Sequence, residues 1–146
     1  MVVLHYHAAV QAGRPVSLAF FDVDHFKRIN DTWGHERGDE VLQALGRVLH
    51  ARQDDRVWAA RMGGEEFVVL LVDTPPDAVA RFCHRVRESF AEAIGGIGTL
   101  SAGIAHRMEG ETLAQHLHRA DAALYQAKRL GRDRVEVDAL DRTGTD

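Results

Sequence analysis

The feature that most constrains this chain is an unbroken apolar segment that runs into two acids, Ser17-Leu18-Ala19-Phe20-Phe21-Asp22-Val23-Asp24. A run without polar alternation suits a strand covered on both faces, so it is expected at the centre of a sheet. The rest of the chain offers that strand its partners. Val57 to Met62 and Phe67 to Val72 read as two strands joined by a tight turn at Gly63-Gly64, Thr99 to Ala105 as another strand, and Arg134 to Val137 as a short last one. Helical spacing fills the intervals: Val41, Leu42, Leu45, Val48 and Leu49; then Val79, Phe82, Cys83, Val86 and Phe90; then Leu113, Leu117, Ala120, Leu124 and Ala127. Asp24 to Asn30 reads as a short helical turn, followed by a loop through Gly34 and Gly38. Thr74 reads as an N-cap with proline at the first helical position, Thr112 with Gln115 as a capping box, and Gly131 as a helix stop.

This order predicts an α+β domain. Its core would be a ferredoxin-like central antiparallel sheet of the palm or nucleotidyl-cyclase kind, flanked by helices on one face, with an appended C-terminal helix and strand. The domain is expected over residues 1–137, with 138–146 a polar C-terminal tail.

Composition excludes several functions. The 146 residues suffice for one core, and a net charge of -4 with both signs interspersed offers no basic field for long nucleic acid. No apolar run reaches membrane-spanning length, so no direct membrane contact is expected. The single cysteine, Cys83, has no internal partner, which fits a reducing compartment and a cytoplasmic location.

Two motifs carry chemistry. Asp22-Val23-Asp24 places carboxylates at a strand end, where they can supply hard oxygen ligands to Mg²⁺, although acids also mark ordinary strand exits. Gly63-Gly64-Glu65-Glu66-Phe67 places two glutamates beside a turn that lets a ligand approach the backbone, although a solvated hairpin tip would look the same. Either motif alone is only suggestive. Together, on neighbouring strands, they bring Glu65 beside Asp22 and create a pocket for one or two metal ions. Lys27 lies a turn further on, where a terminal phosphate would sit, and the backbone N–H groups of Asp24, His25 and Phe26 could cradle the same group.

The blocks Phe21-Asp22-Val23-Asp24-His25-Phe26-Lys27, Asn30-Asp31, Gly34-His35, Gly38-Asp39 and Gly63-Gly64-Glu65-Glu66-Phe67 resemble the signature of GGDEF diguanylate cyclases. Ala123-Leu124-Tyr125-Gln126-Ala127-Lys128 with Gly131-Arg132 is similar to the family's C-terminal signature, and the match runs in order from Val16 to Val137. The resemblance implies condensation of two GTP molecules into cyclic di-GMP with release of pyrophosphate. It implies that Asp22, the Val23 carbonyl and Glu65 hold Mg²⁺ (or Mn²⁺), with Glu66 near a second ion and Glu65 drawing the proton from the attacking 3′-hydroxyl. Lys27, Lys128 and Arg132 would hold the β- and γ-phosphates. Asn30 and Asp39 would bind guanine, with His35 near the nucleoside and Gly63 and Gly64 beneath the substrate. A carboxylate can accept from N1–H and the exocyclic amine of guanine, whereas adenine would oppose it with an acceptor. The partners implied are GTP, a second copy of the chain in a transient C₂ homodimer, and a fused sensory domain in the full-length protein.

The pattern breaks in two places. The positions of the family's Arg-x-x-Asp product-inhibition site are Asp54 and Val57, while Arg52-Gln53-Asp54-Asp55 lies two residues out of register. Inhibition through that site is therefore expected to be weak or absent, and Arg85, at a secondary inhibitory position, reads more simply as a surface helix arginine. The Asp-x-Leu-Thr-x-Leu-x-Asn-Arg opening of the family has no counterpart, so the N-terminal lobe is expected to be truncated or reduced. His5, His7, His116 and His118 lack companions for a zinc site and read as surface or helix-face histidines, and Trp33 and Trp58 as packing residues. The alternative to an enzyme is a GGDEF-like module that binds GTP or cyclic di-GMP and regulates a partner.

Overall fold

A computed structural model describes residues 2–142. Five strands form one sheet in the order β2-β3-β1-β4-β5. They are β1 (Val16–Val23), β2 (Val57–Gly63), β3 (Glu66–Val72), β4 (Leu100–His106) and β5 (Val135–Val137). The apolar run is indeed the middle strand, buried at all eight positions. It pairs antiparallel with β3 on one side and β4 on the other. The last strand departs from the antiparallel rule: β5 runs parallel to β4, so the sheet is mixed.

The helices are α1 (Val2–Gln11), α2 (Phe26–Trp33), α3 (His35–His50), α4 (Pro76–Ala93), α5 (Leu113–Arg129) and the short α6 (Ala139–Arg142). They cover both faces of the sheet, which corrects the one-faced arrangement expected from element order. Alternate residues of β1 explain why. Ala19, Phe21 and Val23 join α2, α3 and α4 in one core, whereas Val16, Leu18 and Phe20 join α1 and α5 in another. A central strand apolar on both sides therefore needs two helical layers.

Several local readings shift. α2 is a full helix and α3 begins at His35, so Gly38 lies inside a helix instead of a loop. A methyl group there would stand 1.8 Å from Asn30 Oδ1, so the glycine admits the α2 side chain. α4 starts one residue later than its cap signal suggests: Pro75 is the N-cap, Pro76 leads the helix, and the Thr74 hydroxyl donates to the Val72 carbonyl. The capping box of Thr112 and Gln115 forms as read. At the other end of α5, Gly131 N–H donates to Lys128 O and Arg132 N–H to Ala127 O, the paired bonds of a Schellman stop, with Gly131 at φ 123°. Within the segment read as a tail, Asp138 and Asp141 ion-pair with Arg119, while residues 143–146 lie outside the described residues.

One close approach sets the layer spacing. A side chain at Gly103 on β4 would meet the Leu124 backbone nitrogen at 2.1 Å and the Ala120 carbonyl oxygen at 2.6 Å, so α5 rests directly on the strand backbone. One aromatic reading changes: Trp33 is 55% exposed. Trp58 packs as expected, against the α1–α5 core and stacked on His5 of α1 with ring centroids 4.0 Å apart. Among the described residues no helix is long and apolar enough to cross a membrane.

Candidate active site

Residues of β1 alternate in direction, so Asp22 follows Leu18 and Phe20 onto the face covered by α5. The antiparallel register sets Asp22 directly opposite Glu66, the first residue of β3. Directly opposed side chains leave the sheet on the same face, which gives two acids a shared exit. Gly63 ends β2 and pairs with Glu66, so the two-residue turn is Gly64-Glu65, one position later than read from the sequence. The ladder slips between Arg61 and Gly63, a bulge at Met62, and Gly64 takes φ 52° while Arg61 Nε donates to its carbonyl. Glu65 is thereby held at the turn instead of inside the strand.

The electrostatics of this corner are unfavourable without a cation. Asp22 is only 4% exposed, and burial is the main force pushing its carboxyl above the ordinary range. Lys128, from the last turn of α5, opposes that shift by donating to Asp22 Oδ2, while Glu65 and Asp24 reinforce it. Glu66 is likewise raised, first by burial, then by Asp121 of α5 and Asp22. Asp121 was missed at the level of sequence. The available signal was its place seven residues before Lys128, two turns away along one helical face.

Asp24 behaves differently from its neighbour. Its carboxylate accepts from Thr99 Oγ1 at 2.7 Å, Ser101 Oγ at 2.6 Å and the Asp133 N–H at 3.0 Å. Its own N–H donates to Thr99 O at 2.9 Å, which corrects the expectation that this N–H is free to cradle a phosphate. This bond lies just past the end of the β1–β4 ladder, and the donor is consumed. The cradle is then left to His25 and Phe26. His25 adopts a left-handed conformation (φ 52°) at the N-cap of α2, and no side chain caps the helix.

The remaining expected contacts lie on α2, α3 and the turn after α5. Asn30 is half-buried on α2, and its Oδ1 is a buried acceptor without a partner among the described residues. Lys27, His35 and Asp39 are exposed, Arg132 is half-buried, and none of these four side chains has a hydrogen bond or ion pair among the described residues. His116 is fully buried, against its surface reading. Its Nε2 lies 2.7 Å from Ala105 O, which fixes that nitrogen as the donor and leaves Nδ1 to accept from the Tyr6 hydroxyl at 2.9 Å. A cavity of about 590 Å³ lies near the N-terminal end of α5, between Met108, Glu111, Arg119 and Leu140, remote in sequence and structure from Asp22.

Among the described residues, no group of three or more histidines, cysteines or acids is assembled as a ready metal cage. Mg²⁺ does not require one. It is commonly held by one or two carboxylates with substrate phosphates and water completing the shell. A buried Asp22 neutralised by an ammonium group, with Glu65 beside it electrostatically, is a donor set of that type.

The chain matches the family model described as diguanylate cyclase, GGDEF domain, over residues 4–134. It is 38% identical over 136 residues to diguanylate cyclase VdcA of Vibrio cholerae, covering 86% of this chain and 40% of that protein. It is 47% identical over 124 residues to diguanylate cyclase DgcM of Escherichia coli, covering 82% of this chain and 30% of that protein. The chain thus spans well under half the length of these relatives. Among solved structures, the GGDEF domain of DgcB from Caulobacter crescentus in complex with c-di-GMP superposes with a TM-score of 0.84 at 34% identity, covering 93% of this chain and 85% of that one. The active GGEEF domain of a diguanylate cyclase from Vibrio cholerae gives 0.84 at 34% identity, covering 92% and 90%. With the acid pair on adjoining strands and the family match running nearly end to end, the chain belongs to the diguanylate cyclase GGDEF domain family.

Proposed function

We propose that the chain is a working diguanylate cyclase. The observation that carries this reading is the in-register opposition of Asp22 and Glu66 beneath the Gly64-Glu65 turn, with Lys128 drawn onto Asp22. Such concentrated, partly neutralised negative charge favours a divalent cation and costs stability in its absence. Asp22, the Val23 carbonyl and Glu65 would hold the ion, with Glu66 toward a second. Bound there, Mg²⁺ supplies charge neutralisation at the transferring phosphoryl group. The chain's own groups do the rest. Glu65 takes the proton of the attacking 3′-hydroxyl, whose oxygen bonds to the α-phosphorus of the other GTP as pyrophosphate departs, and a second such transfer closes the ring. Lys27, Lys128 and Arg132 orient the β- and γ-phosphates, with the His25 and Phe26 N–H groups behind them. Asn30 Oδ1, an acceptor with no partner among the described residues, suits a guanine donor, with Asp39 and His35 at the nucleoside.

One domain presents one GTP, so product formation needs two copies face to face. The active species is then a C₂ homodimer, brought together by a regulatory domain in the cytoplasm. The absence of an arginine at Asp54 and of an acid at Val57 leaves the domain without its primary product-inhibition site.

Incubation with GTP and Mg²⁺ should yield cyclic di-GMP and pyrophosphate, and Glu65→Gln should reduce turnover by about 10²–10⁴, the usual worth of a general base. Undiminished turnover in that variant would remove Glu65 from the chemistry. Tight GTP binding without product would instead favour a regulatory binding module. Strong inhibition by micromolar cyclic di-GMP would overturn the missing-site assignment.

A further inference from the structure

Asp24 stands two residues from Asp22 at the same strand end, is 3% exposed, and makes no ion pair among the described residues. Its two oxygens are taken by three neutral donors on two other segments: Thr99 and Ser101 at the start of β4, and the backbone of Asp133 beyond α5. With three of its roughly four acceptor positions so occupied, the carboxylate has little capacity left for a metal ion.

What it grips is unusual. Arg132 and Asp133 are consecutive non-glycine residues with φ of 64° and 47°. Each costs energy in this conformation and persists where surrounding bonds over-determine it. Four contacts do so: Arg132 N–H to Ala127 O, Arg134 Nε to Arg132 O, Arg87 to the Asp133 carboxylate at 2.7 Å, and Asp133 N–H to Asp24. Only the last ties the turn to the strand that carries Asp22.

We infer that Asp24 is a positioning residue that, through the Asp133 N–H, fixes the left-handed turn carrying Arg132 and so sets where that guanidinium stands relative to Lys128 and the Asp22 corner. The inference rests on the reading of Arg132 as a phosphate ligand. It also separates the roles of the two aspartates: one faces substrate, the other fastens the frame.

A double-mutant cycle tests it. Asp24→Ala removes every acceptor and leaves the Asp133 N–H without its partner. KM for GTP is expected to rise roughly tenfold to a hundredfold in Asp24→Ala, as in Arg132→Ala, the worth of one charge-assisted phosphate contact. The double variant should be no worse than Arg132→Ala alone. Additive increases would overturn the inference while leaving Arg132 at the phosphates. An unchanged KM in Arg132→Ala would remove Arg132 from the site and the positioning role with it. Melting curves identify any variant that fails to fold. In that event Thr99→Val with Ser101→Ala, which keeps Asp24 but frees its carboxylate to turn, should raise KM in the wild-type background and not in Arg132→Ala. A rise in both backgrounds would likewise overturn the inference.

Discussion

The two ends of α5 make a useful contrast, since both carry buried charge and only one is at peace with it. Near its N-terminal end, Arg119 is 9% exposed and donates to Glu111, Asp138, Asp141 and the His106 carbonyl. Near its C-terminal end, Lys128 alone faces Asp22, with Glu65, Glu66 and Asp121 in electrostatic reach. Burial is the largest single influence on Glu111 and opposes its ionisation, but the Arg119 hydrogen bonds, the Met108 N–H and the Arg119 charge together outweigh it and hold its carboxyl below the ordinary range. Asp22 and Glu66 are shifted the opposite way. The same helix thus carries a charge network that fastens the fold and another that is left in deficit. The deficit is the end suited to a ligand.

The largest expected effect comes from breaking the satisfied end. Arg119→Met leaves three acids and a carbonyl uncompensated, and should cost about 3–5 kcal/mol in denaturant unfolding. KM for GTP, measured on the folded fraction, should stay put. At the other end the balance reverses: Lys128→Ala should raise KM for GTP roughly tenfold or more, with a smaller loss of stability than Arg119→Met, because a single lysine, one-third exposed, is withdrawn from one acid. If both variants lose stability alike, the contrast fails.

A smaller effect separates the ends by pH. The depressed Glu111 carboxyl contributes stability above its unfolded pKa, and that contribution is lost as pH falls through the lower folded value. The raised Glu66 carboxyl does the reverse, penalising the fold at neutral pH and relieving it as protons bind. Glu66→Gln should therefore raise the melting temperature by about 1–2 °C at pH 7 without Mg²⁺, the gain fading under acid. A loss of melting temperature at pH 7 would mean that the carboxylate is already compensated.

Much of this was legible in residues 16–24 and 57–72, where continuous apolar runs and turn chemistry fix the strands and place Asp22 next to the glutamates. The register was less so. A single bulge at Met62 moves the turn from Gly63-Gly64 to Gly64-Glu65, and a bulge leaves no compositional mark. Arg119 and His116 were illegible for another reason: their burial depends on Glu111, Asp138, Asp141, Tyr6 and the β4 carbonyls, partners distant in sequence. Asp24 read as a twin of Asp22 because spacing cannot tell a carboxylate saturated by hydroxyls from one awaiting a cation.

The bare backbone at Gly103 has a consequence for how such a domain can fail. Because α5 sits on the strand with no side chain between, even alanine there would lift the helix or buckle β4, and Lys128 would move with it. A one-methyl change at a glycine outside the proposed site would then mimic loss of Lys128. A survey that counts only ligand-contacting positions would score such a silenced protein as intact.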